Sequence, residues 1–225
     1  MPRDTILFDI NETVLDLASL RPKFEAAFGE AGVTATWFAM LLHTSTVCAL
    51  TKVETGFAAL AGMTLDNIAA RRGVTVSDEQ RSDILGGFAS LQPHGGVIPA
   101  LQRLREAGYR TVAFSNSSLS LVTSQITNAG LANLYDRIIS VESTGSFKPD
   151  PKVYEFVAAQ VDRPVTELRL IATHDWDTHG AMTAGLLAAY IDRSGAPYNP
   201  LYNRPDVFAT TMGDVVAQIL REDGH

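Results

Sequence analysis

Between residues 97 and 193 the chain alternates two kinds of segment, and this alternation constrains its fold more than any other feature. Four short apolar runs, "YRTVAFSNSS" (109–118), "RIISVES" (137–143), "LRLIATHDWD" (168–177) and "LAAYIDR" (187–193), stop at polar residues. Continuous apolar runs of this length suit strands buried on both faces, as in parallel sheets. Helical patterns lie between them. "VIPALQRLREAG" and "LSLVTSQITNAG" close on Gly108 and Gly130, and "DPKVYEFVAAQV" opens with Asp150 as N-cap and Pro151 at the first helical position. "HGAMTAG" finishes a shorter helix at Gly185. Strand and helix in alternation require right-handed crossovers and a doubly wound α/β sheet. "ILFDINETVLD" (6–16) supplies the first strand, ending at Asp9.

Residues 15–91 differ. "RPKFEAAFGEAG", "WFAMLLHTSTVCAL" and "VETGFAALAGMTLDNIAARRG" carry helical periodicity with no convincing strand, and "SDEQ" (77–80) is a capping box. The α/β pattern resumes near "QPHGGV", where Pro93, Gly95 and Gly96 make a re-entry turn. The expected architecture is a Rossmann-like doubly wound parallel sheet of residues 1–14 and 92–225, with a helical cap of residues 15–91 inserted after the first strand. A net charge of −7 without a Lys/Arg run argues against nucleic acid and anionic membranes as partners. No apolar run reaches the roughly 20 residues of a membrane span. "MPRDTILFD" passes directly into the strand, leaving no room for a signal peptide, so a soluble cytoplasmic protein is expected. The lone Cys48 excludes an internal disulfide and a cysteine zinc site; it reads as a small buried hydrophobe.

In such a sheet the carboxyl ends of adjacent strands share one edge, where open α/β folds place their ligands. Asp9, Ser115, Asn116 and the cluster Thr173, His174, Asp175, Trp176, Asp177 should converge there, with Lys148 of "GSFKPDPKVY" within reach. Each alone can cap a turn or sit in a solvated loop; together they form a reaction centre.

The ordered set "FDINET", "FSNS", "FKPDPKVY" and "THDWDTHGAMTAG", with a helical segment between the first and second, resembles the haloacid dehalogenase-like hydrolase superfamily over essentially the whole chain. The resemblance makes Asp9 the nucleophile and Thr13 its hydrogen-bonding neighbour; Thr13 can also cap the next turn. Most similar proteins are Mg²⁺-dependent phosphotransferases with Asp-x-Asp in the first motif. Here the second position is Asn11, which cannot shuttle a proton. Their metal-ligating aspartate of the fourth motif aligns on Ala172, which cannot bind Mg²⁺.

The pattern looks instead like the L-2-haloacid dehalogenases, which need neither metal nor cofactor. The resemblance implies attack by Asp9 on the halogen-bearing carbon of a short 2-haloalkanoic acid, then hydrolysis of the aspartyl ester to a 2-hydroxy acid. Lys148 would support the buried nucleophile, Ser115 would hold the substrate carboxylate, and Asn116 would bind the halide. Asp177 would orient the hydrolytic water. Tyr154 would contact Lys148 or substrate, or simply face the core. Asn11, Thr173, Trp176 and Phe38 complete the expected substrate contacts. Two departures stand out. Phe38 in "WFAML" occupies the place of a halide-binding arginine, and Thr173-His174-Asp175 replaces the usual Ser-Asn before Trp-Asp. His174 can supply the lost donor, assist the ester-hydrolysing water, or only position its loop. Two other readings remain: a Mg²⁺-dependent phosphatase or phosphonate hydrolase of the same fold, and a catalytically weak small-acid binder. The resemblance also implies a homodimer.

Overall fold

The computed structural model describes residues 4–224; residues 1–3, on which the signal-peptide reading partly rests, lie outside the described residues. The chain opens with β1 (Thr5–Phe8), and β2 (Leu15–Asp16) pairs antiparallel with β3 (Gln92–Pro93). Between β2 and β3 every regular element is helical, chiefly α1 (Arg21–Phe28), α2 (Val33–Thr51), α3 (Phe57–Arg72) and α4 (Asp78–Gly87). Then follow α5 (Val97–Glu106), β4 (Arg110–Ser115), α6 (Leu119–Asn128), β5 (Arg137–Ser140), α7 (Pro151–Val161) and β6 (Leu168–Ala172). The chain ends with α8 (Asp175–Thr183), β7 (Leu187–Ile191), β8 (Val207–Ala209) and α9 (Met212–Glu222).

The six-stranded sheet has the order β5-β4-β1-β6-β7-β8, parallel throughout. Its central strands are buried along their whole length, which explains their continuous apolar sequence. β1 lies between β4 and β6, so the chain crosses to one side of β1 and later returns on the other. That reversal is the topological switch point, and the carboxyl ends of β1, β4 and β6 meet there.

The α/β alternation and the helical insertion are as the sequence predicts, including the Ser77–Gln80 capping box and buried Cys48. Four details differ. The two-residue β2 lies inside the stretch read as wholly helical, forming with β3 a ribbon at the base of the insertion. β8 and α9 have no counterpart in the sequence reading; three residues of "VFA" are too short to show a period. α8 starts at Asp175, so Asp175–Asp177 form a first helical turn rather than a polar strand end. Their acidic side chains favour the positive end of the helix dipole. Finally, α2 has 19 residues without Asp, Glu, Lys or Arg, long and apolar enough by composition to cross a membrane. Here it packs as a core helix, with Trp37, Phe38, Leu41 and Cys48 buried. Trp37 Nε1 donates to Ala61 O of α3 (3.0 Å), and Phe24, Phe38 and Phe88 surround its ring.

Candidate active site

Asp9 continues the β1 ladder through its amide, which donates to Ile171 O (3.0 Å), and its carboxylate projects beyond the sheet edge. Both oxygens are engaged. Oδ2 accepts from Thr13 Oγ1 (2.7 Å) and contacts His174 Nδ1 (3.2 Å); Oδ1 accepts from Lys148 Nζ (3.1 Å). The side chain keeps only 11% of its surface open. Burial opposes its ionisation, yet the Lys148 ammonium and then His174 hold it below the usual carboxylate range.

Lys148 is 1% exposed. Its ammonium donates to Asp9 Oδ1, Asp177 Oδ2 (2.9 Å) and Phe114 O (3.0 Å), giving each of three protons an acceptor. Burial alone would lower its basicity, but Asp177 and Asp9 raise it, so it stays charged. Asp177 is fully buried. Its second oxygen accepts from Tyr154 Oη (2.5 Å), so Tyr154 holds Asp177 and not Lys148. Burial pushes Asp177 up, against the pull of Lys148. Gly180 makes this packing available: a Cβ there would lie 2.6 Å from Pro149 Cβ and 2.8 Å from Tyr154 Oη.

Thr13 also accepts from Thr173 N (3.0 Å), tying the β1 and β6 loops together. Asn116 Oδ1 accepts from Lys148 N (3.0 Å), which leaves its Nδ2 group for a ligand. Ser115 Oγ accepts from Ser117 N (3.1 Å). Asn11 is not a cavity residue: its amide donates to Ser117 Oγ (3.2 Å) and its carbonyl accepts from Gln125 Nε2 (3.0 Å). The same Gln125 nitrogen donates to Phe88 O of the insertion (2.8 Å). Asn11 therefore couples the two parts of the molecule, with both ends of its side-chain amide engaged.

His174 is the centre of a chain that sequence reasoning missed. Its Nε2 meets Glu12 Oε2 at 2.9 Å while Nδ1 faces Asp9. Its ring stacks on Trp176 (centroids 5.1 Å apart) and approaches Phe38 (6.3 Å). Burial would lower its pKa, but the bonds to Asp9 and Glu12 raise it to about 10. At neutral pH it is an imidazolium between two carboxylates. Glu12 has φ +63°, a left-handed conformation uncommon outside glycine. Its amide donates to Leu15 O (2.8 Å), and its carbonyl lies 2.9 Å from His94 Nε2, which hold that turn. Arg193, also unforeseen, clamps Thr13 O through two guanidinium nitrogens (2.9 and 2.7 Å).

Glu12 and His174 stand between two cavities. One, of about 570 Å³, runs along α2 and is mostly apolar, with Phe38, Leu42, Pro149 and Trp176 in its walls. The other, of about 390 Å³, mixes polar and apolar surface and carries Asp16, Arg21, His94, Thr173 and Arg193 in its walls.

The family model for haloacid dehalogenase-like hydrolases matches residues 3–168. An (S)-2-haloacid dehalogenase of Pseudomonas sp. (strain YL) is 24% identical over 94% of this chain and 92% of its own. A second, (S)-2-haloacid dehalogenase H-109 of Pseudomonas putida, is also 24% identical, over 95% of this chain and 96% of its own. The solved L-2-haloacid dehalogenase of Xanthobacter autotrophicus superposes with a TM-score of 0.89 at 22% identity, covering 96% of this chain and 98% of that one. With Asp9 at the switch point and a helical segment inserted after the first strand, this chain belongs to the haloacid dehalogenase-like hydrolases.

Proposed function

We propose that this protein hydrolyses the carbon–halogen bond of 2-haloalkanoic acids, with residues 15–91 as the cap. The observation that carries the reading is the Asp9 carboxylate, kept anionic by a buried ammonium and an imidazolium beside an apolar cavity. The named activity of the two Pseudomonas relatives supports it. An Asp9 oxygen forms a bond to the 2-carbon while halide leaves with the electron pair of the carbon–halogen bond. No leaving-group acid is needed. Asn116 Nδ2 and Ser115 bind the substrate carboxylate, and Trp176 and Phe38, beside the positive charge of the His174 ring, receive the halide in place of arginine.

Forming the ester removes the charge of Asp9, one of the two carboxylates that keep His174 protonated. Its proton passes to solvent and the neutral imidazole, steadied by Glu12, becomes the base for the second step. Water gives one proton to His174 and its oxygen adds to the ester carbonyl carbon. The acyl–oxygen bond then breaks, the second proton ends on the hydroxyl of the product, and Asp9 returns as carboxylate. In this reading Asp177, enclosed by Lys148 and Tyr154, positions the lysine and leaves the water to His174. The family resemblance supports a homodimer as the working form.

A divalent ion does not fit these residues. Lys148 Nζ fills the place between the Asp9 and Asp177 carboxylates, and Asp175 accepts from the Trp176 and Asn199 amides. Halide release from 2-chloropropionate should therefore persist in EDTA. Glu12→Gln should give a burst of about one halide per enzyme followed by a slow phase roughly 10²–10⁴-fold reduced, as the His174 base loses the carboxylate that orients it and stabilises its protonated form. Phosphate release that requires Mg²⁺, with no halide from the acid, would refute the assignment; a variant without the burst would refute the role of the Glu12–His174 pair.

A further inference from the structure

The cavity lined by Glu12 and His174, the latter in contact with Asp9, is larger than a two- or three-carbon acid requires. At about 570 Å³ it falls in the range that encloses a drug-sized ligand. One wall is a stripe of α2, Ala35, Phe38, Ala39, Leu42, His43 and Thr46, at the spacing of a single helix face. From Ala35 to Thr46 the stripe runs about 17 Å at 1.5 Å per residue. It carries no Asp, Glu, Lys or Arg, and small side chains at Ala35 and Ala39 keep the groove open. Pro149 and Trp176 form the facing wall, with Tyr202 beside them. The groove starts at the chemistry: His174, which contacts Asp9, lines it, and Pro149 adjoins Lys148. A three-carbon substrate would leave most of this apolar surface wet.

We propose that the groove along α2 binds an apolar tail on the 2-carbon, making the preferred substrate a 2-haloacid with an alkyl or aryl substituent of about four to six carbons. The inference rests on the dehalogenase reading and names the substrate class for that same site. Ala39 is its specificity-determining position, because side-chain volume added there occupies the groove midway along the stripe.

The test measures kcat/KM for bromide release from bromoacetate, 2-bromopropionate, 2-bromobutanoate, 2-bromohexanoate and 2-bromo-2-phenylacetate. Burial of each methylene in a half-open apolar groove predicts a rise of about twofold per carbon, hence about tenfold between 2-bromopropionate and 2-bromohexanoate. Ala39→Phe should collapse that hexanoate-to-propionate ratio toward unity. The milder Ala39→Leu should lower it in the same direction, should the larger side chain impair folding. Turnover of the short acids with a flat or falling series overturns the groove proposal and leaves dehalogenation standing. Bromide from no member of the series overturns both.

Discussion

Asp9→Asn should abolish halide release, with a loss of roughly 10⁴–10⁶-fold in kcat, the range seen when a catalytic nucleophile is removed. The substitution keeps the shape of the side chain, and Lys148 keeps Asp177 and Phe114 O as acceptors, so folding should survive. The loss would then be chemical: an amide nitrogen or oxygen is a poor nucleophile toward a saturated carbon, and the imidazolium of His174 loses one of its two anionic partners. Circular dichroism and a halide electrode check the two halves separately. Retention of more than about one percent of activity, with native spectra, would remove Asp9 from the chemistry, given the size of the expected loss.

Lys148→Met should cost about 3–5 kcal/mol of stability at pH 8, because it leaves two buried carboxylates facing each other without their cation. The pH dependence has a definite sign. In the native protein the lowered pKa of Asp9 contributes stability above the ordinary aspartate range, and this is lost as pH falls. In the variant Asp9 keeps only His174 as a cationic partner and that contribution shrinks, while Asp177 loses Lys148 and is pushed further upward. The folded variant then binds protons that the unfolded chain does not hold, and its stability rises as pH falls from 8 toward 5. Urea denaturation at both pH values should show the deficit relative to native protein shrinking at the lower one. An equal deficit at both would mean that Lys148 acts through packing, such as its contact with the Phe114 ring, and not through charge.

Much of this site was legible in the sequence because its parts sit at strand ends, where a doubly wound topology dictates adjacency. Asp9 follows β1, Ser115 and Asn116 end or follow β4, and His174 follows β6; knowing the strand order brings them to one edge without further information. Lys148 was reachable because the loop after β5 leads back to the same edge. What stayed hidden depended on loop conformation. Glu12 lies within the first motif, but only the left-handed turn at that residue aims its carboxylate at His174, and nothing in "NET" encodes that φ. Arg193 follows β7, two strands away from β1, and its reach to Thr13 O depends on where its long side chain runs. The partners of Asn11 were hidden for a related reason. Its place in the motif pointed to substrate, whereas Gln125, in the middle of α6, turned it into a link between core and insertion. The β2–β3 ribbon is too short for any periodicity, so the base of the insertion could be placed only by its flanking turn residues.

The most direct test of covalent chemistry at Asp9 is a single turnover in water enriched with oxygen-18, with enzyme in excess over 2-chloropropionate. Hydrolysis of an aspartyl ester at its carbonyl carbon predicts that the first-turnover product carries unlabelled oxygen. The peptide containing Asp9 should gain the mass of one heavy oxygen. Heavy oxygen in the lactate of that first turnover, with an unlabelled Asp9 peptide, would mean that water attacks the substrate directly and would contradict the account.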